Sequence, residues 1–164
     1  MEIYIGVKII KAKPMTLGEY NKYRGWDIPE NENPSKEGCL VEYMDSPDKN
    51  HDNHENYISW SPRDAFKKAY SKSDGLPFGL AIEAIRKGKK VCRKGWNGKG
   101  MFVYYVAASS YPVSRNYDSA VKGLFANDMV PYRAYMALKT AQNDIATWAP
   151  SGSDALAEDW MIID

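Results

Sequence analysis

Val91-Cys92-Arg93-Lys94-Gly95-Trp96-Asn97-Gly98-Lys99-Gly100-Met101-Phe102-Val103-Tyr104-Tyr105-Val106 is the stretch on which the fold turns. Two strand-forming runs flank Asn97-Gly98, and both residues of that pair tolerate positive φ, which makes Asn-Gly the strongest short signal for a two-residue hairpin turn. A turn there sets Trp96 opposite Lys99 and Arg93 opposite Phe102, offering Arg93 a cation–π contact with the phenyl ring. Trp96 then lies on the other face, toward Met101 and Val103. The hairpin tip presents Trp96, Asn97 and Lys99 together.

On the N-terminal side of this hairpin, Phe78, Ala81, Ile82 and Ile85 recur at the spacing of an amphipathic helix. Arg86 and Lys87 suit the negative end of its dipole, and Gly88 ends it. On the other side, residues 109–131 are weakly periodic and contain Pro112, Gly123 and Pro131, which predicts a long loop with at most one helical turn. Tyr132 to Lys139 and Ile145 to Trp148 predict a second hairpin, turned at Gln142-Asn143-Asp144. Ser151-Gly152-Ser153-Asp154 caps a short helix through Ala157, and Trp160 to Ile163 forms a last strand.

Ser71-Lys72-Ser73-Asp74-Gly75 is polar and is the expected linker. Before it, residues 1–74 read as a strand over Ile3 to Ile10, a helix opened by a Thr16-Leu17-Gly18-Glu19 capping box and stopped near Gly25, and strands over Cys39 to Met44 and Tyr57 to Trp60. A polar loop, Asp45 to Asn56, joins the two strands. Ser61-Pro62-Arg63-Asp64 follows as an N-cap, a first-turn proline and an N3 carboxylate, with Phe66, Ala69 and Tyr70 at helical spacing. The expected class is α+β: a small antiparallel sheet with short helices (residues 75–164), preceded by a small α+β module (residues 1–74).

At 44% hydrophobic and 26% charged, the 164 residues can bury a core. A net charge of +1 argues against a dedicated nucleic-acid binder, which needs surplus cations to displace phosphate counterions. The 12 Tyr and 5 Trp suit strands as well as surfaces that are half dry and half wet. Cys39 and Cys92 are too few for a disulfide framework, the N-terminus has no secretory pattern, and Met101 to Ala108 is too short to cross a bilayer. A cytoplasmic protein with reduced thiols and no membrane partner is expected.

His51 and His54, the two histidines of the chain, are spaced like a metal-ligand pair, but their loop offers only flexible Asp, Asn and Glu, so a solvated loop is expected and no metal or other cofactor. With no histidine elsewhere, Ser–His or Cys–His nucleophilic catalysis is hard to assemble. Gly95 to Gly100 fails as a phosphate loop, because Lys99 is followed by Gly100 and a strand. An indole face, an amide and a cation at the hairpin tip are what a purine with phosphates requires, although an ordinary hairpin whose tryptophan covers the core accounts for them too. Ser151, Ser153 and Asp154 open a helix that could seat an anion, yet simple N-capping explains the same residues better. No pair among Asp144, Asp154, Glu158 and Asp159 stands out for acid–base work. A binding protein is expected, with a nucleotide-degrading enzyme or a protein–protein interaction module as rivals.

Phe78-Gly79-Leu80-Ala81-Ile82-Glu83-Ala84, Gly88-Lys89-Lys90-Val91 and Gly95 to Phe102, continued by Tyr132-Arg133, Lys139-Thr140-Ala141, Trp148, Ser151, Asp154 and Leu156 to Trp160, resemble the second Thoeris anti-defence family of phages and prophages, over about residues 77–164. The resemblance implies a homotetramer that sequesters cyclic ADP-ribose isomers, and in some members cyclic dinucleotides at separate sites, without cleaving them. It places Trp96 in a pocket between protomers, with Trp148, Ser153 and Asp154 from the tail motif. Asn97, Lys99, Arg133 and Tyr135 complete the expected ligand-binding set. The chain departs from the family pattern at Ala134, Tyr135, Ala137 and Leu138, and at Gly152-Ser153. Residues 1–74 resemble a module fused in other phage proteins.

Overall fold

Thr16 Oγ1 accepts from Glu19 N at 3.2 Å while the Glu19 carboxylate accepts from Thr16 N at 2.7 Å, the reciprocal capping box read in the sequence. It starts α1 (Leu17–Arg24), which Gly25 closes in the left-handed region at φ 69°. The computed structural model describes residues 7–96, 100–113 and 120–163. By contact the chain divides into two units, residues 1–71 and 72–164.

The first unit is a three-stranded antiparallel sheet in the order β1 (Ile10–Pro14), β2 (Gly38–Tyr43), β3 (Tyr57–Pro62). β1 begins where the expected Ile3–Ile10 strand ends, because pairing with β2 runs from Ile10 opposite Tyr43 to Pro14 opposite Cys39. Residues 1–6 lie outside the described residues. α2 (Arg63–Ala69) is capped by Pro62 and not by Ser61. Ser61 is still held in the ladder opposite Cys39, so its hydroxyl is not placed to cap. Tyr20, Leu40 and Ile58 form the core, with Met15, Tyr23 and Trp60 against it. Gly38 is required here, since a Cβ would sit 2.4 Å from the Trp60 ring.

The loop between β2 and β3 is largely exposed, as expected, but its two histidines are held in place. Glu42 is buried, and its carboxylate accepts from His54 Nδ1 at 3.0 Å. That contact first, with Asn56 added, outweighs burial and holds Glu42 below the usual carboxylate range. Because an ionised carboxylate only accepts, His54 Nδ1 carries the hydrogen, and Nε2 lies 3.1 Å from the Tyr23 hydroxyl. The partners of the histidines, Glu42 and Tyr23, come from other elements and share no spacing with them, so the sequence gives no sign of these contacts.

In the second unit α3 (Phe78–Arg86) packs on a five-stranded antiparallel sheet in the order β10 (Trp160–Ile163), β4 (Lys90–Arg93), β5 (Phe102–Val106), β8 (Tyr135–Lys139), β9 (Ile145–Trp148). Ala81, Ala84 and Ile85 of the helix meet Val91, Val103 and Trp160 of the sheet in one buried cluster. The expected linker is tied into this unit, as Ser73 O accepts from Ile162 N at 2.8 Å. Among the described residues no helix is long and apolar enough to cross a membrane.

Three readings of this half are corrected. A two-residue turn at Asn97-Gly98 would set Val91 opposite Tyr104, but Val91 lies opposite Val103. The slip of one residue exchanges the faces, so Arg93 does not meet Phe102; Lys90 Nζ does, 5.6 Å from the ring centroid. The turn itself, residues 97–99, lies outside the described residues. Residues 109–131 are not a loop throughout. β6 (Ser109–Pro112) and β7 (Met129–Tyr132) pair as a ribbon, with a 3-10 turn over Ala126–Asp128. Both strands of a two-stranded ribbon are edges, where Pro112 and Pro131 are tolerated. Tyr132 belongs to β7, so the second hairpin begins at Tyr135, and its connection is closed by Thr140 N donating to Asp144 O at 2.9 Å.

Candidate functional site

Trp160 opens β10 opposite Arg93 and is fully buried. Its Nε1–H donates to the Asp154 carbonyl at 3.0 Å. Around it stand Phe78, Trp96 and Trp148, with ring centroids at 5.4, 5.5 and 5.9 Å. Trp96 and Trp148 also meet each other edge to face at 6.3 Å, which sets the positive edge of one ring against the negative face of the other. Trp96 and Trp148 are only half-buried. Among the described residues no hydrogen bond is made by either indole N–H. The pair therefore presents ring surface at the border of the core.

Behind the tryptophans lies an ion network that the sequence did not disclose. Arg93 Nε donates to Asp159 Oδ1 at 2.8 Å, and its Nη1 donates to Asp154 Oδ1 at 2.9 Å. Asp159 Oδ2 also accepts from Gly95 N at 3.2 Å, fixing the residue before Trp96. Asp154 is the N3 residue of α4 (Gly152–Ala155), and its other oxygen accepts from Ser151 N at 3.0 Å and Ser151 Oγ at 2.6 Å. Ser153 Oγ lies 2.9 Å from Ser151 Oγ. Capping thus accounts for these residues, as their sequence physics favoured. α4 is a single turn, too short to carry much dipole.

Arg93 raises one sequence signal that was available. Alternation puts it on the same face as Val91, toward the core, and a cation there demands a carboxylate partner. The assumed turn register hid this, and Asp159 gave no local sign of being that partner.

Of the expected ligand set, the fold brings Trp96, Trp148 and Asp154 together, with Ser153 beside them. Arg133 and Tyr135 are exposed near the start of β8. Met136 pairs with Trp148, so Tyr135 points to the opposite face of the sheet and does not join the tryptophans. Asn97 and Lys99 lie outside the described residues. No group of three metal-ligating side chains occurs among the described residues.

The Arg93 hydrogen bond, against burial, holds the Asp159 carboxyl below its ordinary range. For Asp154 burial pushes upward, but hydrogen bonds from Ser151 and Arg93 prevail and the value is lowered. Carboxylates with depressed folded pKa values stabilise fully above their unfolded value of about 4 and lose that contribution as pH falls through the folded values. Arg93→Met is expected to lower the melting temperature at pH 7 and to flatten the acid limb below about pH 4. Thermal melts of both proteins from neutral to acidic pH check this; identical acid limbs would remove the network from the account.

The family model for the Thoeris anti-defense 2-like domain matches residues 76–163. The chain is 36% identical over 88 residues to "Thoeris anti-defense 2" of Bacillus phage SP01, a match covering 54% of this chain and 94% of that protein. The matched span takes in α3, the five-stranded sheet and the tryptophan cluster. The chain belongs to the Thoeris anti-defense 2-like family of phage anti-defence proteins.

Proposed function

We propose that the chain disarms host defence by holding a cyclic nucleotide signal, a cyclic ADP-ribose isomer or a cyclic dinucleotide, without cleaving it. The observation that carries this reading is the pair of half-buried indoles, Trp96 and Trp148, beside the carboxylates that Arg93 holds. A purine stacks on such a ring, and base–aromatic stacking contributes about 1–3 kcal/mol per base. Arg93 and the two aspartates hold the indoles in position. Lys99, Arg133 and the Ser153 hydroxyl are the groups proposed to meet phosphate, with Asn97 and Tyr135 contributing from the same chain or a neighbouring one.

A homotetramer is part of the proposal. The sheet face turned away from α3 carries Phe102, Tyr104 and Val106, all half-buried, and Ile145, which is 54% exposed. An apolar face of this kind is a common site of subunit contact. It also bears Tyr135, so a neighbouring copy would supply the half of the site that one chain does not assemble.

Calorimetric titration with a cyclic ADP-ribose isomer, alongside light scattering, tests the reading. Saturable binding by a particle of four chains is expected, and residues 72–164 alone are expected to keep the affinity. A monomer across micromolar concentrations would remove the shared pocket. A folded residue 72–164 fragment that no longer binds would place part of the site in the first unit.

A further inference from the structure

Outside the residues that the family match covers, the connection between β2 and β3 spans residues 44–56, whereas hairpins need only about two to five residues. It is nevertheless fastened at several points. Asn50 Nδ2 donates to Ile58 O at 2.9 Å and Asn50 Oδ1 accepts from Ile58 N at 2.8 Å. His51 Nε2 donates to Tyr23 O at 3.2 Å, its Nδ1 accepts from Asn53 N at 3.2 Å, and its ring stacks on Tyr23. Ordering each residue costs about 1–2 kcal/mol in backbone entropy, so a connection serving only as a turn would be shorter.

With the end of α1 this loop bounds a cavity of about 490 Å³, lined by Arg24, Lys49, Asn50, His51, Asp52 and Asn53. Every lining side chain is polar. Asn50 and His51 have their groups committed as described, and Arg24 also hydrogen-bonds Tyr20, which leaves Lys49, Asp52, Asn53 and the rest of the Arg24 guanidinium to meet a ligand. Neither Arg24 nor Lys49 forms an ion pair among the described residues. Arg24 is held over the Trp26 ring at 4.4 Å, and its Nη1 is buried with no hydrogen-bond partner. A buried guanidinium N–H without an acceptor is destabilising, and Arg24 is one of the residues that line the cavity.

We propose that this cavity binds a small phosphorylated, hydrophilic molecule of the sugar-phosphate class. Arg24 and Lys49 take the phosphate, and the Asp52 carboxylate and Asn53 amide meet hydroxyls. The volume exceeds what phosphate alone fills, and the lining offers nothing to an apolar body. The Glu42–His54–Tyr23 chain of hydrogen bonds is the scaffold that keeps the loop in place.

Backbone-amide NMR of the full chain, titrated with ribose 5-phosphate and separately with ribose, tests the site. Saturable shifts at residues 49–53 with the phosphorylated sugar alone are expected. Arg24→Gln should abolish them, and Lys49→Gln, a change at an exposed side chain that leaves the fold intact, should weaken binding at least roughly threefold. Absence of saturable shifts in this loop, equal shifts with ribose, or an affinity unchanged in Lys49→Gln would overturn the proposal.

Discussion

Trp160→Ala is expected to remove about 3–5 kcal/mol of stability from the second unit, the range for truncating a buried tryptophan. The residue is fully buried at the junction of α3, β4 and β10 and touches three other aromatic rings. Its indole N–H also satisfies the Asp154 carbonyl, so the variant leaves a cavity and a lost acceptor contact together. A domain of this size holds only about 5–15 kcal/mol in total, so a large fall in melting temperature should appear, with weakened ligand binding as its consequence. A variant that melts like the parent would mean that the tryptophan cluster is not the centre of this core.

Trp96→Ala is expected to behave differently, although its ring contacts the same neighbours. Being half-buried, it returns less apolar surface to water, and its N–H has no acceptor to lose among the described residues. Loss of stacking should weaken cyclic nucleotide binding roughly ten- to a hundredfold. Its packing against Trp160 and Trp148 implies a smaller, measurable drop in melting temperature. Paired melting and titration separate the two indoles. If Trp96→Ala melts as early as Trp160→Ala, it is core; if it melts normally and binds as tightly as the parent, it is not in the site.

What the sequence disclosed was chiefly local. The Thr16–Glu19 capping box, the left-handed stop at Gly25 and the α3 periodicity depend on residues within a turn or two of one another, and each is present. The Ser151–Asp154 cap belongs to the same group. What escaped depends on distant pairing. The β4–β5 register differs by one residue from the one that Asn97-Gly98 suggests, and that single step hid the inward direction of Arg93 and its two aspartates. The β6–β7 ribbon was missed because prolines usually argue against strands, a rule that relaxes at edges. The His54–Glu42 pair was invisible for the same reason as Arg93–Asp159: a contact between elements carries no spacing.

Trp96 stands out by its place at the hairpin tip as well as by resemblance, Trp148 by resemblance alone, and the fold brings them within one aromatic cluster. Arg133 and Tyr135 were grouped with them on motif order alone, which does not record which face of a strand a residue occupies. Met136, opposite Trp148, settles that question for Tyr135.

The central claim is that the signal is held and not destroyed, and one mass-balance measurement tests it. A cyclic ADP-ribose isomer is mixed with a slight molar excess of the chain, the free nucleotide is measured by chromatography after filtration, and the protein fraction is then heated. Depletion of free nucleotide followed by its quantitative return, intact, is the predicted result. Recovery of a cleaved product, or no depletion at all, would contradict it.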